Sequence, residues 1–345
     1  MRTLFRPNIL QMSGYTPGEQ PREGEVLKLN TNENPYPPSP RVLEAIQSAL
    51  TSEKLRKYPD PIGREFCQTV ADVLQVDPDS VLIGNGSDDI LTIVTRATVP
   101  ENGLISSPTP SYVLYRTLAD IQGANLKLVP FEDWQLPSTW PHPNAHLTLV
   151  PNPNSPSGTV VALSSLEDLA NQLEGLLVVD EAYADFAESN ALSLSTMENV
   201  IVTRTLSKSY SLAGIRFGFG IARPDLIREL VKVKDSYNCD VLSLAAATAA
   251  LQDQEHFRQT RKKILATREP AKIELENLGF EVTPSEANFL WCRAARDLEP
   301  IYLELKRRQI LVRYMKYPDY GEGLRITIGT DDEMNQLFTS LRAIV

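Results

Sequence analysis

Lys208 stands in "TLSKSYSLAG", with hydroxyl side chains at 205, 207, 209 and 211 and no other charge in the run. A lysine with nothing local to pair with is ordinarily exposed. At a strand end facing a carboxylate it becomes a candidate Schiff-base lysine, whose amine reacts only when deprotonated. Arg216, eight positions on in "AGIRFGFG", supplies a fixed cation suited to bidentate phosphate contact. Gly214, Gly218 and Gly220 around it permit close backbone approach, or merely a turn with bulges. Asp180 ends the apolar run "LLVVD" and so emerges from a buried strand, where a charge needs a partner. Two readings are open for it: an ion pair or helix cap, and a counter-ion that keeps a heteroaromatic nitrogen protonated. Asn154, in "PNPNSPSG", reads by itself as an ordinary turn residue. "GNGSD", residues 84–88, puts Gly86, Ser87 and Asp88 at the start of a helix, where free N–H groups and the positive helix end can hold a phosphate. A tight strand-to-helix turn explains the same residues equally well. No third glycine completes a dinucleotide fingerprint, and no Gly-x-x-x-x-Gly-Lys-Ser/Thr loop is present.

These residues matter only if the fold brings them together. From residue 41 the chain alternates strand and helix: "SVLIGNG", "SDDILTIVTRATV", "GLISSPTPSY", "YRTLADIQGA", "HLTLVPNPNSPSG", "SLEDLANQLEG", "LLVVDEAYADF", "NVIVTRTLSKSY". Short buried strands alternating with helices predict an α/β fold, a mostly parallel sheet covered by helices on both faces. Ligands of such sheets bind beyond the carboxyl ends of the strands. Four of those ends carry the glycine turn, Asn154, Asp180 and Lys208. From about residue 240 the rhythm changes to two helices and about three strands, a small α+β domain. The expected division is an N-terminal arm over 1–40 joining the small domain, a large cofactor-binding domain over 41–240 and the small domain over 241–345. The arm's prolines exclude a long helix. "SPRVLEAIQSALTS" reads as a capped helix with Leu43, Ile46, Ala49 and Leu50 on one face.

Composition narrows the function. With 345 residues and a net charge of −10, the chain is long enough for a substantial core and disfavours nucleic acid and anionic membrane surfaces as partners. The three cysteines are isolated, so neither a disulfide framework nor a zinc site is expected. His142 and His146 are interrupted by Pro143 and make no helical metal pair; no metal is expected. "MRTLFRPNIL" is no signal peptide and no apolar run reaches a membrane span, which makes a cytoplasmic setting the expectation. A nicotinamide-dependent oxidoreductase lacks its third glycine, and a regulator without catalysis lacks a DNA-binding module.

"TLSKSYSLAGIRFGFG", "VVDEAYADF" and "PNPNSPSG" resemble the signature blocks of fold-type-I pyridoxal-5′-phosphate aminotransferases. "GYTPGEQP", "LNTNENPYPPSP", "RKYPD", "GNGSDDIL" and "LRITIGT" are similar to the histidinol-phosphate aminotransferase family over nearly the whole chain. The resemblance implies the PLP-transferase fold type I and transfer of an amino group from L-glutamate to imidazole acetol phosphate in histidine biosynthesis. An aromatic amino-acid transaminase and a threonine-phosphate decarboxylase-like lyase are the alternatives. It further implies Lys208 as the Schiff-base lysine and proton carrier, and Asp180 as partner of the pyridine nitrogen. Asn154 and Tyr183 would bond the phenolic oxygen, and Tyr112 would stack on the ring. Gly86, Ser87, Asp88, Thr205, Ser207 and Arg216 would hold the phosphate. Tyr58 would reach the neighbouring subunit's cofactor in a homodimer. Arg325, with Arg313 assisting and Tyr15 and Asn34 from the arm, would bind substrate. "PNSPSG" departs from the commoner block but keeps its first asparagine, whereas "SYNCDVLSL" departs where substrate contacts are expected.

Overall fold

The computed structural model describes residues 4–14, 18–20 and 26–345. Thirteen strands and twelve α-helices are present among them. The strands are β1 (Leu27–Lys28), β2 (Val81–Gly84), β3 (Leu104–Thr109), β4 (Asn125–Pro130), β5 (Leu147–Pro151), β6 (Leu176–Asp180), β7 (Val200–Thr205), β8 (Gly218–Ile221), β9 (Glu281–Val282), β10 (Phe289–Arg293), β11 (Ile310–Leu311), β12 (Arg313–Tyr317) and β13 (Gly321–Thr327). The helices are α1 (Pro7–Gln11), α2 (Pro40–Ala49), α3 (Ser52–Leu55), α4 (Arg64–Leu74), α5 (Ser87–Thr98), α6 (Leu114–Gln122), α7 (Leu163–Gln172), α8 (Pro224–Val231), α9 (Val241–Gln252), α10 (Gln254–Asn277), α11 (Glu299–Arg307) and α12 (Asp331–Arg342).

The large sheet runs β2-β8-β7-β6-β5-β3-β4. Strand β8 is antiparallel to both of its neighbours, so β2 points the same way as the other five and β8 alone is reversed. "GFGI" is therefore a strand, not the turn with bulges that its glycines also allowed. The apolar run of β6 shows why the sheet is buried on both sides. Leu176 and Val178 pack into one core with α5 and α6, while Leu177 and Val179 pack into another with α7. Because all parallel strands end at one edge, the segments following β2, β5, β6 and β7 share a single crevice.

A second sheet, β12-β13-β10-β9, is antiparallel throughout. Residues of α10, α11 and α12 cover it, among them Ile264, Leu305 and Leu337. Strand β1 of the arm pairs in parallel with β11, tying residues 27–28 to this body, while α1 packs on α6 of the other. Helix α9 packs on α2 and α4. That contact corrects the face expected of α2: Val42 and Ala49 are buried and Ile46 packs beside them, but Leu43 and Leu50 are more than half exposed. The inward residues follow an i, i+4, i+7 stripe in which Ile46 and Ala49 are as expected and Val42 takes the place of Leu43. No described helix is long and apolar enough to cross a membrane.

Candidate active site

Lys208 lies just past the end of β7 and its Nζ donates to the Thr31 carbonyl at 3.0 Å. Burial, then the positive charge of Arg325, pushes its pKa down to about 8. Asp180, the last residue of β6, is 4% exposed. Its carboxylate accepts from the Tyr115 hydroxyl at 2.9 Å and from Thr203 Oγ1 at 3.2 Å. Burial raises its pKa to about 6, the two hydroxyls opposing the shift. The carboxylate faces the same cavity as Lys208 and Tyr183, and no cation among the described residues donates to it. This favours the counter-ion reading of Asp180 over an internal ion pair.

At the other end of the cavity, the chain enters α5 through Gly86, whose φ of +82° places it in the region that favours glycine. A side-chain carbon there would come within 2.9 Å of the Arg216 guanidinium. Arg216 donates to Ser207 Oγ at 3.4 Å and lies 3.7 Å from the Asp88 carboxylate. Gly218 is where the reversed strand matters: a Cβ on it would meet Ser87 N at 2.4 Å and the Gly86 carbonyl carbon at 2.6 Å. Ser87, Asp88, Thr205, Ser207 and Arg216 all line the cavity. Free N–H groups at a helix start, three hydroxyls and a guanidinium make a donor set for a phosphate.

On the far wall, Arg313 of β12 and Arg325 of β13 are directly opposed across the ladder, and both line the cavity. Arg325 donates to Ser155 Oγ at 2.9 Å and to the Asn30 carbonyl at 3.1 Å, and its buried Nε has no hydrogen-bond partner among the described residues. Two cations facing each other across antiparallel strands repel. An anionic ligand relieves that repulsion. A phosphate cradle, a carboxylate, an amine and an arginine pair thus surround one cavity, and this set fits pyridoxal phosphate with an anionic substrate beside it.

The match to known proteins agrees. Residues 24–341 match the family "Aminotransferase class I and II". The chain is 54% identical to the histidinol-phosphate aminotransferase of Rhodopirellula baltica over 337 residues, covering 96% of this chain and 93% of that one. It is 46% identical over 350 residues to histidinol-phosphate aminotransferase 1 of a Nostoc species, covering 100% and 99%. The chain belongs to the histidinol-phosphate aminotransferase family. A crystal structure of this enzyme from Sinorhizobium meliloti, in complex with pyridoxal-5′-phosphate, superposes with a TM-score of 0.89 at 26% identity, covering 100% of this chain and 99% of that one. A Thermus thermophilus aspartate aminotransferase shares the fold, with a TM-score of 0.81 at 18% identity. The fold is that of the fold-type-I enzymes.

Not every residue singled out in the sequence reaches the cavity. Tyr112 lines it, with the edge of Tyr115 against its ring at 5.7 Å. Asn154 is buried, but its amide nitrogen donates to the Pro110 carbonyl and Ser157 Oγ, leaving Oδ1 without a partner. Asn34 does not line the cavity: its amide donates to the Ser209 carbonyl and accepts from Tyr36 N. Tyr58 is 79% exposed, stacked on Tyr237 at 4.3 Å and away from this cavity. Tyr15 lies outside the described residues.

Other groups at the site escaped the sequence reading. Tyr115 is on the first turn of α6 and Tyr112 in the loop before it, and nothing in their spacing signals the contact of Tyr115 with Asp180. Asn32, two residues before Asn34, donates to Tyr183 Oη at 2.9 Å. Beneath the Lys208 loop, Arg204 bridges the buried Glu181 at 2.7 Å and Asp185 at 2.9 Å, and Asp185 accepts from the Ser209 hydroxyl. The consecutive acids of "VVDEAYAD" were the only sequence sign of that network.

Proposed function

We propose that this chain is a pyridoxal-phosphate-dependent transaminase moving an amino group between L-glutamate and imidazole acetol phosphate, with L-histidinol phosphate and 2-oxoglutarate as products. The observation that carries the substrate reading is the opposed pair Arg313 and Arg325 in the cavity that holds Lys208. Both substrates are anionic, one through a carboxylate and the other through a phosphate, and one guanidinium serves each in turn.

When bound, the cofactor supplies a ring that absorbs the electron pair left as the substrate α-carbon loses its proton. The chain's own residues do the rest. Lys208 Nζ, with its pKa pushed down to about 8 by burial and by Arg325, is partly neutral near pH 7 and carries the α-proton. Asp180 holds a proton on the ring nitrogen, and Tyr115 and Thr203 hold Asp180. Tyr183 donates to the ring's phenolic oxygen. Asn154 stays a candidate partner there on sequence resemblance alone, since its amide protons are spent on Pro110 and Ser157. Tyr112 covers the ring, and the α5 start with Thr205, Ser207 and Arg216 holds the phosphate. Arg325 and Arg313 orient the substrate, which places the reacting carbon near Nζ.

The working unit of this reading is a cytoplasmic homodimer in which Tyr58 reaches the neighbouring subunit's cofactor. Leu43, Leu50, Leu55 and Tyr58 are all more than half exposed on α2, α3 and the turn after them, an apolar surface of the kind that a second copy buries. The division expected from the sequence, an arm over 1–40, a cofactor domain over 41–240 and a small domain over 241–345, shifts at one boundary in this reading, to the end of α9 at Gln252. The packing of α9 supports assigning that helix to the cofactor domain. The deciding experiment is turnover by purified enzyme with histidinol phosphate and 2-oxoglutarate, run beside phenylalanine and tyrosine. Turnover of the aromatic amino acids alone would reject the substrate assignment.

A further inference from the structure

Asn32 is fully buried in the strap between β1 and the proline-rich run, with φ at +58°. Every polar group it carries is committed. Its N–H donates to Thr327 Oγ1 at 3.0 Å, and the Thr327 hydroxyl donates back to Oδ1 at 3.1 Å. Its carbonyl accepts from Asn288 Nδ2 at 3.0 Å, and its own Nδ2 donates to Tyr183 Oη at 2.9 Å. The orientation of the amide follows from this set. Reversed, the amide would present N–H groups, not an acceptor, to the buried Thr327 hydroxyl proton, so Nδ2 faces the tyrosine.

The consequence lies in the direction of the next hydrogen bond. Tyr183 Oη accepts from an amide that has no acceptor to offer it, so its own proton is free to point elsewhere, and Tyr183 lines the cavity. The ring has little freedom to turn, being edge-on to Phe289 at 4.9 Å. We propose that Asn32 is a positioning residue for the transamination: by donating to Tyr183 Oη it commits the tyrosine hydroxyl to donate toward the phenolic oxygen of the bound cofactor. A hydroxyl that accepts one hydrogen bond is a stronger donor in the next. Burial raises the Tyr183 pKa while the Asn32 amide opposes that rise, which agrees in sign. The inference rests on the pyridoxal-phosphate reading and adds a residue to it.

The test is a pH titration of the visible absorption of the cofactor-loaded enzyme, which reports the proton shared by the Lys208 linkage and the phenolic oxygen. Asn32→Gly removes the amide at a backbone angle that glycine adopts freely. Weakening one neutral hydrogen bond to the oxygen makes it more basic, so the midpoint should rise by about half to one pH unit. In a Tyr183→Phe background the same substitution should add nothing, because the effect passes through the tyrosine. Should the glycine variant fold poorly, Asn32→Asp preserves the shape and turns the donor into an acceptor. It should raise the midpoint further, and at least about half a unit of its effect should vanish in the Tyr183→Phe background. A midpoint unchanged in the single variants, or a shift equally large with and without the tyrosine hydroxyl, overturns the proposal while leaving the enzyme assignment intact. Failure of the parent protein to acquire any cofactor absorption on mixing with pyridoxal phosphate overturns both.

Discussion

Replacing Arg204 by Met tests whether the ion network under Lys208 supports the site. Glu181 has no exposed side-chain surface, and Arg204 reaches it through both Nε and Nη2 at 2.7 Å. Met retains most of the stem but leaves a buried carboxylate without its cation. Losing one partner of a buried pair costs about 3–5 kcal/mol. Unfolding entropy of about 2.1 cal/mol/K per residue gives roughly 0.7 kcal/mol/K for this length, so the melting temperature should fall by about 4–7 °C. The loss should also depend on pH. Burial outweighs Arg204 and already holds Glu181 above its ordinary pKa, and removing the arginine raises it further. The folded chain then keeps a proton that the unfolded chain releases, so stability falls as pH rises between the two pKa values. Calorimetry of the cofactor-free protein at about pH 5.5 and about pH 7.5 should therefore show the larger deficit at the higher pH. A melting temperature within about 1 °C of the parent, or equal deficits at both pH values, would refute the reasoning.

Three further outcomes are expected. With the Lys208 amine titrating near 8, the rate of cofactor attachment should climb about tenfold per pH unit below that value and level off above it; stopped-flow absorbance showing a flat rate would contradict this. Arg325→Ala should raise the KM for glutamate by roughly 10- to 100-fold, the worth of a charge-assisted pair, with a smaller change in kcat; initial-rate kinetics with a KM within about twofold of the parent would remove Arg325 from the substrate site. Gly218→Ala forces a carbon against Ser87 N and Gly86, so equilibrium titration should show cofactor affinity weakened by at least about tenfold. Gly214→Ala, with nothing within 4 Å of the new carbon, should bind as the parent does.

Much of this was legible because strand ends in a parallel sheet are written locally. The run "LLVVD" announces both a strand buried on two faces and a carboxylate at its end. The glycines before Ser87 announce a helix start open to an anion. What depends on distant pairing was not legible. Nothing near "GFGI" says that it runs against its neighbours; that follows from its place between β2 and β7, and its partners in β2 lie 134 to 140 positions earlier in the sequence. The buried stripe of α2 depends on α9, nearly two hundred residues away, which chose Val42 over Leu43. The contact of Tyr115 with Asp180 spans 65 positions. Asn34 was singled out where Asn32 meets the site, because three asparagines alternate in one short run and only Asn32 takes the left-handed turn that aims it at Tyr183.

The Lys208 amine donates to the main-chain oxygen of Thr31. A peptide oxygen belongs to every amino acid alike, so drift at position 31 can change the side chain without taking that acceptor away. Only moving the strap removes it, and the strap hangs from β1, which is stitched to β11. The acceptor offered to the amine is in this sense recorded in the path of the chain, and a residue-by-residue mutational scan would pass over it.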